Sequence, residues 1–499
     1  MTSIAQETAS GVKYTTISQF SSQFVRLGSF SILALLLPPS DFGLVGMAAI
    51  VTGFTNVFRD LGTREAVIRQ DEHSSQFLSS IFILNIVFSG TLTAVILLAS
   101  GWASSFFSEP RLCNILRILA VTVITSGAAS LPLALLQHRL EFRRLAVVEV
   151  TSVIAGGLTG TILAFWNFGV WSIVGQTLTT STIACILAYQ QTAYQPSLQF
   201  SFSEIRVILK FSGNLTLFNF LNYFVRNADN LLIGKFLGSE ALGIYSLAYR
   251  LMLIPLQNVT SVVTKVMFPV LSKLNSNTDE LRRTYLKMTV CIAFLTFPLM
   301  AGASVVAQEA INVLFAPTWA KAGVILNILA PLGLLQSVCS PVGVLYLVRG
   351  RTDLMFRWGL LSSGVTLIAM LAGLRFGLVG IAIAYLTASL ALLIPSLLIP
   401  FHLVGLSSKE FAWSLRRIAT CALLMAIMVA IAQHVTNGLD IPEAGQLLSS
   451  VMAGILTYTI LVVRFAPAET SAMQSFLLRI IKKPKSSSTR TAPRQREQV

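Results

Sequence analysis

The sequence predicts an all-α polytopic membrane protein with about fourteen transmembrane helices, arranged as two parallel six-helix lobes plus two C-terminal helices. Of the 499 residues, 54% are hydrophobic and only 11% are charged, whereas soluble chains carry roughly 25% charged residues. The hydrophobic residues are grouped in long runs, and part of the sequence is repeated about 200 residues further on. A lipid bilayer, rather than water, is therefore the expected solvent for most of the surface.

The apolar runs have the length of membrane-spanning helices, since roughly 20 helical residues cross about 30 Å of hydrocarbon. The second and the eighth runs are the least regular, because charged residues lie at their ends or in their middle. The predicted spans are 15–37, 41–59, 79–99, 113–136, 147–165, 169–189, 212–235, 241–263, 288–308, 323–347, 357–374, 377–401, 417–434 and 446–465.

The basic residues predict the orientation of these spans. A net charge of +15 would indicate nucleic-acid binding in a soluble protein, but here the charges lie in short segments between apolar runs. If the N-terminus is cytoplasmic, cytoplasmic segments carry 28 of the 36 lysines and arginines, and outer loops carry four. Because lysine and arginine concentrate on the cytoplasmic side, we predict that both termini are cytoplasmic and that nucleic acid is not a partner.

An internal duplication divides the chain. The segment 24–26 (FVR) recurs as 224–226, and Gly43 matches Gly243 at the same offset. The segment 115–120 (ILRILA) is similar to 325–330 (ILNILA), and 168–169 (FG) recurs as 376–377. An even number of spans separates the copies, so the repeats are parallel. The predicted units are an N-terminal lobe at 1–190, a cytoplasmic linker at 191–211, a C-terminal lobe at 212–402, two helices within 403–468 and a basic cytoplasmic tail at 469–499.

Polar residues recur inside the apolar spans, where a charge costs at least about 2.5 kcal/mol. Four of them in span 7 are spaced by three and four residues, so they share one helical face. Span 1 carries polar residues at the same four positions, and span 8 adds Arg250 at similar depth. The matched pairs are Gln19 with Asn219, Ser22 with Asn222, Arg26 with Arg226, and Ser29 with Asp229.

The charges of this group predict an anion site. Arg26, Arg226 and Arg250 face one carboxylate, Asp229, which leaves an excess of about two positive charges that hydrocarbon would not stabilise. Guanidinium groups bind phosphate oxygens through two hydrogen bonds at once. We therefore predict a cavity between the lobes in which these arginines, Asn222, Asn219 and Gln19 bind substrate and Asp229 binds a coupling ion. Two alternatives remain open: that the stripes hold helices together, and that Arg226 and Asp229 only pair with each other.

The remaining sequence features indicate no enzyme, cofactor or metal site. The five cysteines are scattered and lie mostly in apolar runs, and the four histidines are not clustered. A GxxxxGK[ST] phosphate-binding loop is absent from the sequence, so ATP hydrolysis is not expected. The predicted outer loops are too short for the catalytic domain that a membrane polymerase would need.

Several motifs resemble the Wzx-type polysaccharide flippases of the multidrug/oligosaccharidyl-lipid/polysaccharide exporter superfamily. The resemblance extends over about residues 10–420 and is closest to exporters of exopolysaccharide units such as colanic acid. It rests on the segments 41–48 (DFGLVGMA), 58–62 (FRDLG), 137–143 (QHRLEFR), 168–171 (FGVW), 226–234 (RNADNLLIG), 242–250 (LGIYSLAYR) and 315–319 (FAPTW). One departure is His138, where the family leads us to expect another polar residue such as arginine.

The resemblance implies a function. Such flippases move undecaprenyl-diphosphate-linked oligosaccharide from the cytoplasmic to the outer leaflet of the bacterial plasma membrane by alternating access, for exopolysaccharide or lipopolysaccharide assembly. It implies lipid-linked oligosaccharide and membrane lipids as partners, and also a polysaccharide polymerase and a chain-length regulator. The competing hypotheses are a peptidoglycan-precursor flippase, a drug exporter of the same superfamily, and a membrane subunit of a polymerase complex.

Overall fold

The computed structural model describes residues 2–59, 67, 74–195, 201, 223, 227–438, 441–467, 469–470 and 473, with only the backbone described for 2–13, 16–17 and 55–59. All regular structure in this described part is helical, which agrees with the predicted class. Ten helical stretches in it are long and apolar enough to cross a membrane. Two of these stretches, Ala228–Lys273 and Thr352–Val404, are 46 and 53 residues long, so each can supply two crossings.

The N-terminal half forms six long helices. The turns α1–α2, α3–α4 and α5–α6 lie at one end of the bundle, here called the first end. The opposite end is called the second end. The helices are α1 (Thr2–Leu36), α2 (Pro39–Arg59), α3 (Ser75–Phe107), α4 (Arg111–His138), α5 (Phe142–Phe165) and α6 (Val170–Thr192).

The second half repeats this pattern with two interruptions. The long helix α7 is broken at Gly238, whose φ of +84° only glycine adopts easily. A second break at Ser340–Pro341 separates α9 from α10, where proline cannot donate the backbone hydrogen bond that a continuous helix needs. The helices are α7 (Ala228–Lys273), α8 (Thr278–Leu314), α9 (Ala320–Cys339), α10 (Val342–Val348), α11 (Thr352–Gly373), α12 (Gly377–Val404), α13 (Ser408–Asn437) and α14 (Glu443–Phe465).

The backbone confirms that the two halves are related. Gly169 directly precedes α6, and Gly377 is the first residue of α12. Both have a positive φ, +56° for Gly169 and +69° for Gly377. The break at Gly238 lies 200 residues after Pro38, which separates α1 from α2. The matched segments 115–120 and 325–330 lie near the start of α4 and α9, and four of the five apolar positions that they share are buried in both. The duplication seen in the sequence is therefore a duplication of structure.

Helix packing defines the lobes. In the first lobe α1 packs on α5, α5 on α6, α4 on α6 and α3 on α4. In the second lobe α8 packs on α9, α9 on α7 and α12, and α11 on α12, while α13 and α14 pack on each other and on α8. The two lobes meet chiefly through α2 and α7, so any space between the lobes borders these two helices.

Candidate functional site

A cavity of about 1180 Å³ lies between the lobes. Its walls come from α1, α2, α4, α5 and α6 of the first lobe and from α7 of the second. It reaches from Thr15 and Lys265 near the second end of the bundle to Leu33 and Gly243 near the first end. Pockets for drug-sized ligands are about 300–1,000 Å³, so this cavity can hold a larger polar headgroup.

Two glycines allow the lobes to close at the first end. A Cβ added to Gly43 of α2 would overlap the carbonyl oxygen of Ser239, and one added to Gly243 of α7 would overlap the carbonyl oxygen of Pro39. Gly243 is the repeat counterpart of Gly43, and Ser239 that of Pro39, at the offset of 200. The contact is therefore pseudo-twofold symmetric, because each lobe contributes the same two positions. We call it the glycine crossing.

Polar contacts between the lobes surround the glycine crossing. Ser239 donates a hydrogen bond to Glu109 at 2.8 Å, and Lys235 donates to the carbonyl oxygen of Phe106. The fully buried Trp319 indole donates to the carbonyl oxygen of Ala34 at 2.8 Å. The cavity is therefore sealed at its first end by backbone-to-backbone packing and by side-chain hydrogen bonds.

The cavity has a cationic side. Arg26 of α1 and Arg250 of α7 line it, and the two guanidinium groups repel each other electrostatically. The guanidinium carbon of Arg250 lies 4.6 Å from the ring centre of Phe30, a cation–π contact that orients it. Lys265 adds a third positive charge and Glu149 a single negative charge. Among the described lining residues the net charge is therefore positive.

The structure brings together some of the predicted site residues. Gln19, Arg26 and Arg250 line the cavity between the lobes, as expected. Asn219, Asn222 and Arg226 lie outside the described residues, so their predicted roles stay predictions.

The placement of Asp229 differs from the expectation that it shares this cavity. Asp229 lines a second cavity of about 510 Å³, formed by α7, α9, α11 and α12 within the second lobe. The spacing predicts one helix face shared by Asn219, Asn222, Arg226 and Asp229, but Asp229 lies in the first turn of α7 and borders the cavity within the second lobe. The hydrogen bond from Tyr245 holds its carboxylate there.

Asp229 is buried and hydrogen-bonded. The Tyr245 hydroxyl donates to its Oδ2 at 3.1 Å, and the Asn230 backbone N–H donates to its Oδ1 at 2.8 Å. The Tyr245 ring stacks on that of Tyr249 with centroids 5.7 Å apart. Across the second cavity, Gln336 donates to the Tyr385 hydroxyl at 3.1 Å. The site is thus a carboxylate surrounded by oxygen-bearing side chains, the ligand type that hard cations and protons require.

Sequence reasoning missed two kinds of cavity residue. Glu149 lies near the start of the predicted span 147–165, and Lys265 lies just beyond the end of the predicted span 241–263, so the sequence indicates a membrane-surface position for the first and a cytoplasmic segment for the second. Sequence reasoning also gave no role to the Ser/Thr/Gln face of α6, which the cavity borders. That face could have been found, since Gln176, Thr177, Thr180 and Ser181 are spaced by one, three and four residues.

The family model described as "Polysaccharide biosynthesis protein" matches residues 32–324, more than half of the chain. The chain belongs to this family. One relative is the teichuronic acid biosynthesis protein TuaB of Bacillus subtilis, 28% identical over 95% of this chain and 99% of that one. Another is the lipopolysaccharide biosynthesis protein WzxC of Escherichia coli, 25% identical over 83% and 85%.

Solved structures support the fold of this family member. The lipid II flippase MurJ, in a conformation described as inward closed, superimposes with a TM-score of 0.72. The superposition covers 94% of this chain and 99% of that one, at 16% sequence identity. At this identity the likeness shows the fold alone, and it confirms the predicted architecture of two lobes and additional helices.

Proposed function

We propose that this protein moves undecaprenyl-diphosphate-linked oligosaccharide from the cytoplasmic to the outer leaflet of a bacterial inner membrane, for exopolysaccharide or lipopolysaccharide assembly. The observation that carries the proposal is the positively charged cavity between the lobes, closed at one end by the glycine crossing. A lipid diphosphate carries about two negative charges, and an isolated ion costs many kcal/mol in hydrocarbon. Arg26 and Arg250 would pair with that headgroup while the polyprenyl chain stays in lipid.

The charge asymmetry of the loops supports the orientation. The second end carries the segments predicted to be cytoplasmic, so the cavity opens to the cytoplasm and the glycine crossing lies at the outer face. Exchange between this state and one closed at the cytoplasmic end would expose the headgroup to each side in turn. In this proposal both termini are cytoplasmic, the protein performs no enzymatic step, and polymerase and chain-length regulator are its partners downstream.

Removal of the gene from its host tests the proposal. We expect export of the polysaccharide to stop and the lipid-linked saccharide to accumulate in the cytoplasmic leaflet. A lectin or glycosidase that does not cross membranes should reach this lipid in inside-out vesicles and not in right-side-out vesicles.

Two results would assign another function. Accumulation in the outer leaflet would place the protein after translocation, in a polymerase complex. Rescue of cells depleted of their lipid II flippase would favour a peptidoglycan precursor as substrate. A drug exporter is disfavoured by the charge of the cavity, since cationic drugs need an acidic one.

We further propose that Asp229 binds the coupling ion, a proton or sodium, in the second cavity. Its carboxylate is buried with two hydrogen-bond donors, and ion binding there would alter the packing of α7 on α9 and α12. Asp229→Asn keeps the size of the side chain and removes its charge, so export should fall about tenfold or more, given about 1.5–3 kcal/mol for a charged hydrogen-bonded group.

The matched control is Asp353→Asn, an exposed carboxylate that pairs with Arg351 at 3.0 Å. It should export at the wild-type rate and keep the wild-type response to a protonophore and to sodium-free medium. If Asp229→Asn behaves in the same way as this control, Asp229 does not couple transport to an ion.

A further inference from the structure

The cavity between the lobes has a second side, which is neutral and polar. On α6, Gln176, Thr177, Thr180 and Ser181 face the cavity, and on α4, Thr122 and Ser126 do so. We call these six residues the polar wall. Ser181 lies 3.5 Å from Ser126 through their hydroxyl oxygens, and Thr125 of α4 also hydrogen-bonds to Ser181, so the two helices present one surface.

Most hydroxyl groups of the polar wall donate their proton to a helix carbonyl oxygen. They therefore present hydrogen-bond acceptors to the cavity. Thr177 donates its proton to the carbonyl oxygen of Ile173 at 2.9 Å, and Thr180 donates to that of Gln176 at 2.8 Å. Ser181 donates to the carbonyl oxygen of Thr122 at 3.4 Å. A hydroxyl has one proton and two lone pairs, so lone pairs are what these side chains offer to a ligand.

The cationic side offers the opposite chemistry, because arginine and lysine are hydrogen-bond donors only. A diphosphate, which is rich in acceptors, suits Arg26 and Arg250 and would be repelled by the lone pairs of the polar wall. Saccharide hydroxyls can donate to those lone pairs. The cavity is therefore divided between a side for phosphate and a side for a polyhydroxylated group.

The two sides adjoin each other. Gln176 donates from Nε2 to the Ser29 hydroxyl at 3.3 Å, and Ser29 in turn donates to the carbonyl oxygen of Arg26 at 3.3 Å. The first sugar of a lipid-linked saccharide is bonded directly to the diphosphate. A diphosphate held at Arg26 would thus place that sugar beside Gln176 and its neighbours.

Close packing of α5 holds the polar wall in position. A Cβ added to Gly156 would overlap the Thr180 hydroxyl, and one added to Gly160 would lie 2.9 Å from Cβ of Gln176. The positions of α12 at the offset of 208 that relates Gly169 to Gly377 preserve the wall only in part. Ala384 and Ala388 replace Gln176 and Thr180 there, whereas Tyr385 and Ser389 keep a hydroxyl group, so the complete wall is found in the first lobe.

We infer that the polar wall binds the sugar next to the diphosphate and selects among saccharides. This inference rests on the proposed function and adds to it a division of the cavity into a phosphate side and a saccharide side. Loss of three acceptor hydroxyls should weaken binding of the sugar and leave binding of the bare lipid diphosphate unchanged.

The test compares two lipids on the purified full-length protein by native mass spectrometry. The probes are undecaprenyl diphosphate and the same lipid carrying one glucose, galactose or N-acetylglucosamine. The wild type should bind at least one glycosylated lipid about tenfold more tightly than the bare lipid, since each hydrogen bond to a neutral group contributes roughly a factor of two to twelve. In the triple variant Thr177→Val, Thr180→Val, Ser181→Ala this ratio should fall to about one.

The matched control carries Thr179→Val and Thr182→Val, which change the same helix away from the cavity lining and should keep the wild-type ratio. If the triple variant is not recovered from membranes, Thr177→Val alone, at an exposed position, should lower the ratio about threefold. A wild type that binds no lipid diphosphate overturns the proposed function. A wild type that binds all the lipids equally, or variants that keep the wild-type ratio, overturn the role of the polar wall alone.

Discussion

Replacing Arg26 and Arg250 together with glutamine is expected to abolish polysaccharide export while the protein remains folded in the membrane. Both side chains line the cavity, and each charge-assisted hydrogen bond to phosphate contributes about 1.5–3 kcal/mol, or roughly a tenfold to hundredfold change in affinity. The double variant loses both contacts and most of the positive charge that neutralises the headgroup. Removing the repulsion between the two guanidinium groups should not destabilise the empty protein.

Conservative variants separate charge from geometry. Arg26→Lys with Arg250→Lys should restore export only partly, because an ammonium group is a point charge and does not bind two phosphate oxygens in one plane. Arg117→Gln removes an exposed arginine of α4 that is not among the cavity-lining residues, and it should export normally. Export is measured as surface polysaccharide per cell, with protein amount checked by immunoblot. Wild-type export from the double glutamine variant would exclude a role in diphosphate binding.

The architecture could be predicted because each feature that indicates it can be read directly from the sequence. The length of an apolar run, the alternation of basic segments and the matched pairs Gly43–Gly243 and Gly169–Gly377 need no knowledge of packing. Charges in apolar spans identified Arg26 and Arg250 for a similar reason, since hydrocarbon leaves few alternatives to a cavity.

Features that depend on helix rotation and on the reach of the cavity could not be predicted. Asp229 faces the second lobe, where it accepts a hydrogen bond from Tyr245, and residue spacing alone does not reveal which neighbouring helices a polar position packs against. Glu149 lies at the start of a predicted span and Lys265 just beyond the end of another, and the depth to which a cavity reaches cannot be judged from a span boundary. The glycine crossing needed the structure as well, because equivalent positions in two repeats do not have to touch.

An aromatic series links the cationic side of the cavity to the closure. Phe30, which contacts Arg250, lies 5.1 Å from Phe42 between ring centroids, and Phe42 lies 5.1 Å from Trp319. Trp319 is part of the seal through its hydrogen bond to Ala34. A ligand that pulls Arg250 away from Phe30 therefore acts on side chains that also close the first end.

Enlarging one glycine of the crossing should open the first end, which is the outer end in the proposed orientation. In Gly43→Val the new side chain would overlap the backbone of Ser239, and overpacking of this kind costs about 1–3 kcal/mol. That cost applies only to the closed state, so it changes the ratio of closed to open protein by about 5- to 150-fold. Export should fall steeply, because the cycle must return through the closed state.

Reactivity of a cysteine at position 239 reports this shift. The serine side chain there is buried in the closure, so Ser239→Cys should react slowly with a membrane-impermeant maleimide in intact cells. A cysteine in an exposed outer loop would react rapidly under the same conditions. Adding Gly43→Val or its repeat mate Gly243→Val should increase that reactivity, whereas Gly101→Ala, which has open space at its Cβ position, should not. Equal reactivity in all four proteins would mean that the contact between Gly43 and Gly243 does not control access, and that the lobes part elsewhere.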